Sequence, residues 1–364
     1  MIKTYYGGND MGFYIGALDN KQHLNLSEQA WSKVEEDMHM FDDITKASNL
    51  SGFLNRIFTN YYETALASLS YRLEEKSEYY RSFFSKIEVT IDKSTTKALI
   101  KSMLDVYTKE TLDDLSKYPK GIGRKFRINN ENVSILETSL DDVYYEGSIS
   151  LYLKYIFEEY TSLPLHDREK IYFNEHITKI KDAIKNNSIL SISLENNRNY
   201  LVKPYDVITD KNASFNYLVC MTKLIQKDLS DPYKIGTFRV SRIKNIRSLK
   251  SPSGKLTITE QKELTQLLQA KGPQFLSGDD IDVTIRLTKE GIKKYNNQIT
   301  LRPLFMEIVN DNEYQFRCTE SQILYYFLKF GRDVTVVSPN YLKDKFKRFY
   351  ESALNNYKAP AVSE

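Results

Sequence analysis

Metal-ligating and nucleophilic side chains are scarce in this chain of 364 residues, which has two cysteines and four histidines. Cys220 and Cys318 sit in separate apolar runs, where a cysteine acts as a small buried hydrophobe. Neither a disulfide framework nor a zinc centre is expected, and no metal or cofactor is implied. His23, His39, His166 and His176 form no H-E-x-x-H or Cys/His spacing. None lies five residues after an arginine, so the R-x-x-x-x-H pair of RNA-guided ribonucleases is missing. Gly121-Ile-Gly123 lacks a third glycine and a preceding strand, and no G-x-x-x-x-G-K-[ST] occurs. The expectation is a protein without a catalytic centre. No run approaches the roughly 18 apolar residues of a membrane span, and Met1-Ile-Lys-Thr-Tyr-Tyr6 lacks the apolar core of a signal peptide. A cytoplasmic location with no membrane partner is expected.

Charge is present in quantity and unevenly placed. The 51 Lys+Arg and 48 Asp+Glu leave a net charge of +3, which conceals two opposed regions. Residues 1 to 52 hold four lysines against eight acids, a poor surface for phosphate. Arg198 to Lys250 holds eleven cations against four aspartates, the footprint of an anion-binding face.

Periodicity divides the chain. His23-Leu24-Asn25-Leu26 alternates as a short strand, with Leu24 and Leu26 inward. Ser27 caps a helix carrying Ala30, Trp31, Val34 and Met38, and a second helix presents Leu54, Ile57, Phe58, Tyr61 and Ala65 on one face. A lone short strand leaves its edges unpaired. Helices follow up to Pro164, interrupted by Lys117 to Arg127, where five of eleven residues are basic. Lys125-Phe-Arg127-Ile128 and Val133-Ser-Ile-Leu136 are expected to form a hairpin. Arg124, Lys125 and Arg127 then make a secondary basic patch, either a nucleic-acid contact or a strand edge kept soluble by charge.

A helix from Asp167 to Ile184 leads into short strands over Ile189–Leu194, Tyr200–Val207, Tyr217–Thr222 and Gly236–Ser241, which suggest a small barrel. The capping box Thr257-Ile-Thr-Glu260 opens the next helix. Beyond the linker Ala270–Gly278, strand, helix, two strands, helix, strand and helix succeed one another, a βαββαβ order of ferredoxin-like type.

The strand, helix, helix of the N-terminal arm resembles the ribbon-helix-helix family, which pairs its strand with that of a second chain; a homodimer through Leu24 and Leu26 is implied. Residues Ile177-Thr-Lys-Ile-Lys-Asp-Ala-Ile184, Val202-Lys-Pro-Tyr205, Asn216-Tyr-Leu218, Phe238-Arg-Val-Ser-Arg-Ile243, Leu324-Tyr-Tyr-Phe-Leu-Lys-Phe-Gly331 and Val337-Ser-Pro339 resemble the WYL-domain family with its C-terminal extension. Asn216 stands where that family has tryptophan. The arm and WYL domain together resemble the WYL-domain accessory proteins of type VI-D CRISPR RNA-targeting systems. That resemblance implies single-stranded RNA binding, homodimerisation and enhancement of an RNA-guided CRISPR ribonuclease. The alternative is a DNA-binding transcriptional regulator whose WYL domain senses a nucleotide or single strand; the acidic first helix speaks against it.

The expected organisation is multidomain α+β. Residues 1–65 are a ribbon-helix-helix-like dimerisation arm and 66–165 a helical region with the basic hairpin. Residues 166–272 form the WYL domain with its small SH3/Sm-like β-barrel, and 273–364 the ferredoxin-like extension. For nucleic-acid binding, strand alternation places Arg239 and Ser241 on one face, with Arg242 following and Lys203, Lys223 and Lys234 on neighbouring strands and turns. Tyr205 and Tyr217 are either stacking planes or barrel core. Arg239 and Arg242 either bind phosphate or pair with Asp206 or Asp210.

Overall fold

The computed structural model describes residues 20–42, 49–86, 92–117, 122–140, 149–210, 215–225, 232–249 and 254–358. Eleven α-helices and three antiparallel sheets are seen among them, in two compact units, Met1–Asn174 and Glu175–Glu364. No described helix is long and apolar enough to cross a membrane.

The first unit contains β1 (Lys21–Asn25), α1 (Glu28–Asp42), α2 (Leu50–Ser85), α3 (Lys93–Lys117), β2 (Gly123–Arg127), α4 (Asn130–Leu140), α5 (Ile149–Ser162) and α6 (Leu165–Tyr172). Helix α1 starts where the Ala30 N–H donates to Ser27 Oγ (3.1 Å), the cap expected from sequence. Helix α2 buries Leu54, Ile57, Phe58, Tyr61 and Ala65 at the i, i+3, i+4 spacing that a core-facing stripe requires. A buried ion pair ties α1 to α6. Arg168 donates to both Asp37 oxygens at 2.7 and 2.9 Å and to the Leu163 carbonyl at 2.7 Å, and the Tyr160 hydroxyl donates to Asp37 at 2.8 Å.

Two expectations are corrected here. The expected lone strand β1 pairs along one edge with β2 of its own chain, Gln22 opposite Phe126 and Leu24 opposite Arg124. Leu24 and Leu26 are fully buried within the unit. The second half of the expected hairpin, Val133–Leu136, lies in α4. The reason is local: the Asn132 N–H donates to Asn129 Oδ1 (2.8 Å), a helix cap, and Asn132 and Leu136 then bury one helical turn apart. Lys120 lies outside the described residues.

The second unit opens with α7 (Asn174–Lys185), then β3 (Ile189–Leu194), β4 (Asn199–Asp210), β5 (Phe215–Leu224), β6 (Lys234–Arg239), β7 (Ile243–Leu249) and α8 (Ile258–Lys271). The five strands form one sheet in the order β6-β5-β4-β3-β7. Its inner face packs Leu190, Ile192, Val202, Leu218 and Cys220 with Ile180 and Ala183 of α7. Part of its outer face, including Val219 and Met221, packs on Leu264 of α8. The expected closed barrel is corrected to an open sheet among the described residues. A three-residue turn, Val240–Arg242, separates the two edge strands, so the sheet curls, but no ladder joins β6 to β7.

The chain continues through β8 (Asp280–Leu287), α9 (Lys289–Asn297), β9 (Phe305–Asn310), β10 (Glu313–Thr319), α10 (Glu320–Phe327), β11 (Val334–Ser338) and α11 (Asn340–Lys358). The sheet order is β11-β8-β10-β9 with every neighbour antiparallel. Val283, Ile285, Phe316, Phe327 and Phe346 fill the space between this sheet and its helices.

Candidate nucleic-acid interface

Strand pleating sends alternate residues to opposite faces, and the ladders of the five-stranded sheet fix which side chains share a row. On the outer face, Lys203 lies opposite Met221, Lys223 opposite Leu201, and Arg239 opposite Tyr217. The sheet does bring Lys203, Lys223, Tyr217 and Arg239 to one face. Lys234 lies opposite Thr222, whose row points inward. Ser241 is corrected: the strand ends at Arg239, the turn follows, and Ser241 is fully buried.

Helix α8 lies over the middle of this face and engages it. Its N-terminus carries the expected capping box, in which the Thr257 N–H donates to Glu260 at 2.7 Å. The other Glu260 oxygen accepts from Lys203 at 3.3 Å. Burial disfavours the Glu260 charge, but the hydrogen bonds from Thr257 and Lys203 outweigh it and hold its carboxyl below the usual range. The Tyr205 hydroxyl is 2.9 Å from Thr265 Oγ1 of α8, and its half-buried ring packs against the cluster of Val219, Met221 and Leu264. The ammonium groups of Lys203 and Lys223 approach one ring, Tyr233, at 4.7 and 5.0 Å. Burial, then the Glu260 charge, raises the Tyr233 hydroxyl.

The arginines also have local partners. The Arg239 guanidinium stacks on Phe215, 3.2 Å from the ring centre. Arg242 donates to Glu195 at 2.9 Å, an acid other than the two aspartates weighed from sequence. In the first unit, Arg124 pairs with Glu35 and covers Trp31 at 4.5 Å, whereas Lys125 and Arg127 point to solvent.

The outer face continues beyond α8, and there sequence reasoning missed the most suitable residues. Arg247 lies opposite Ser191, and Asn245 opposite Ser193; Ser193 in turn lies opposite Asn199. Lys244, Asn245, Ser193 and Asn199 line a groove of about 310 Å³, and Ser191 and Arg247 line a neighbouring hollow of about 290 Å³ that shares Ser193, Asn199 and Asn245 with it. No carboxylate lines either. Lys244 and Arg247 are exposed and have no carboxylate partner among the described residues. Ser193 donates to Asn199 Oδ1 at 2.6 Å. Hydroxyls, amides and two cations suit a ribose-phosphate chain, whose phosphates take cations and whose 2′-hydroxyls take donors and acceptors. The signal was legible: polar Ser191 and Ser193 alternate within an otherwise apolar strand, and Lys244 and Arg247 belong to the basic segment.

No protein-family model matches the chain, and no curated protein does. One solved structure described as "Crystal structure of a CRISPR Cas-related protein" is similar in fold, with a TM-score of 0.70 at 23% identity over 93% of this chain and 94% of that one. Proteasome accessory factor B/C (PafBC) of Arthrobacter aurescens aligns over 65% of this chain and 37% of its own, at 14% identity and a TM-score of 0.29. The first likeness concerns the fold alone; the second carries no argument.

Proposed function

We propose that the protein is a non-catalytic, single-stranded RNA-binding accessory of an RNA-guided CRISPR ribonuclease, with a WYL-type sheet as its RNA-binding element. The observation that carries this reading is the groove beyond α8, where Lys244 and Arg247, without a carboxylate partner among the described residues, stand with Ser191, Ser193, Asn199 and Asn245. Backbone cations supply affinity, and side chains that both donate and accept favour ribose over deoxyribose. The full-length fold shared with a protein described as CRISPR Cas-related supports the choice of partner. The type VI-D effector comes from the sequence resemblance. Self-association belongs to the same reading; β1 is paired along one edge with β2 of its own chain.

Fluorescence anisotropy with matched single-stranded RNA, single-stranded DNA and duplexes tests the binding class. RNA is expected to bind tightest and to survive incubation with divalent metal uncut. Adding the protein to a type VI-D effector and its guide is expected to speed target-RNA cleavage. Equal binding of all these nucleic acids, or turnover of RNA by the protein alone, contradicts the proposal.

A further inference from the structure

A break in one ladder sets the charge of the sheet groove. Strands β3 and β7 pair in step from Ile189 opposite Leu249 to Ser193 opposite Asn245, and then the register jumps to Leu194 opposite Ile243. Lys244 is the extra residue of a β-bulge, and a bulge re-aims a side chain that strict alternation would send to the other face. Here it brings Lys244 to the groove beside Asn245. Lys244 and Arg247 then stand about 10 Å apart along β7, while Ser191, Ser193 and Asn199 belong to the neighbouring strands β3 and β4. Charge lies along one side of the groove and short neutral donors and acceptors along the other.

The groove offers no stacking plane. Its walls are Ser, Asn, Lys and Arg side chains with Ile225, and no aromatic ring lines either hollow among the described residues. Segments 226–231 and 250–253, which follow Ile225 and Leu249 in the chain, contain no Phe, Tyr, Trp or His. The aromatics of this sheet are engaged elsewhere. Tyr200 meets Phe238 at 5.0 Å in the inner core, Tyr205 and Tyr233 join the cluster under α8, and Phe215 takes the Arg239 guanidinium. A base drawn into the groove would leave its stacked neighbours and meet no ring in exchange. Ribose and phosphate find their complements there, hydroxyls and amides for the first and cations for the second.

We propose that the groove holds RNA by its ribose-phosphate backbone with the bases turned outward, so that a bound strand stays competent to pair. The activity goes one step beyond single-strand binding: the protein presents RNA to a complementary strand and does not sequester it. This inference rests on the reading of the groove as an RNA site, and its test separates the two. Contacts to phosphate and ribose fix a strand without reading its sequence, and they leave the donors and acceptors of the pairing edges exposed.

Full-length wild type and Lys244→Ala with Arg247→Ala are compared on a short unstructured RNA, at the protein concentration that saturates it with wild type. Hydroxyl-radical cleavage, which attacks ribose, is expected to reveal a protected run with wild type that is lost with the variant. Within that run, adenine N1 and cytosine N3 are expected to react with dimethyl sulfate as they do in free RNA. Oligo-A, oligo-C and oligo-U are expected to bind within about threefold of one another, where one bidentate base contact would separate them by roughly tenfold or more. A fluorescent complementary strand is expected to anneal no more slowly as wild type saturates the RNA. Protected pairing edges within the run, a base preference of about tenfold, or annealing that slows to the rate of RNA release overturns the proposal, even where loss of the run in the variant upholds the RNA site. A run that persists in the variant removes the groove as the RNA site and the proposal with it.

Discussion

Arg168 and Arg247 carry the same guanidinium into opposite surroundings. Arg168 is buried against Asp37 and the Leu163 carbonyl in the first unit, while Arg247 stands exposed at the rim of a carboxylate-free groove in the second. The contrast repeats within single sheets: Lys203 with Glu260 against Lys244, and Arg124 with Glu35 against Lys125 and Arg127. A cation that completes the fold is satisfied by it, and one left for a ligand is not. Charge density alone, which drew attention to residues 198 to 250, does not separate the two kinds.

The sharpest way to break this comparison is to remove a satisfied cation. Arg168→Ala leaves the Asp37 carboxylate buried with only the Tyr160 hydroxyl, and breaking such a buried pair costs about 3–5 kcal/mol. Urea denaturation is expected to show that loss; a variant within 1 kcal/mol of wild type, by about the uncertainty of such measurements, would mean the pair is dispensable.

The second test uses alkaline pH, against which satisfied phenols respond together. Burial, with lesser help from Glu159, pushes the Tyr61 and Tyr155 hydroxyls up to about 12, and burial, then Tyr295, does the same for Tyr326. Because the folded values lie above the unfolded value near 10, the stability from keeping these phenols neutral is fully present below about pH 10. It is lost as the pH rises from about 10 towards 12. Ultraviolet titration with circular dichroism is expected to show their phenolates appearing together with unfolding. A phenolate step near pH 10 in the folded protein that disappears in Tyr61→Phe, Tyr155→Phe or Tyr326→Phe would contradict it.

A smaller effect sharpens the role of α8 as a cover. Thr257→Ala removes the cap that positions Glu260, at a cost of about 1 kcal/mol, and is expected to loosen Lys203 and improve its access to phosphate. Thermal melting and RNA affinity measured together check this: reduced stability with unchanged or weaker binding would show that α8 does not withhold Lys203.

The parts of this fold legible in the sequence are those fixed by neighbours a few residues away. The stripe from Leu54 to Ala65, the Thr257–Glu260 capping box and the succession of strands and helices from β8 to β11 are all of that kind. What was not legible depends on distant partners. Nothing near His23 announces Lys125, so β1 read as a strand in need of a second chain. Val133-Ser-Ile-Leu136 has strand-like composition, and the Asn129 cap decided for helix. At the site, alternation placed Arg239 on the correct outer face but carried Ser241 along with it, because the turn at Val240–Arg242 leaves no mark in the hydrophobic pattern. Lys244 and Arg247 were visible only as charges until pairing with β3 set Arg247 beside Ser191.

The central claim is that Lys244 and Arg247 of the sheet groove, which have no carboxylate partner among the described residues, bind single-stranded RNA. The most direct measurement is the salt dependence of RNA affinity for Lys244→Ala with Arg247→Ala beside Arg239→Ala with Arg242→Ala. The first variant is expected to lower the log-log slope by about 1.4 while changing stability by no more than about 0.5 kcal/mol. The second, whose cations already hold Phe215 and Glu195, is expected to change the slope by less. The reverse order, with the groove variant binding RNA normally and the Arg239 and Arg242 variant losing it, would contradict the account.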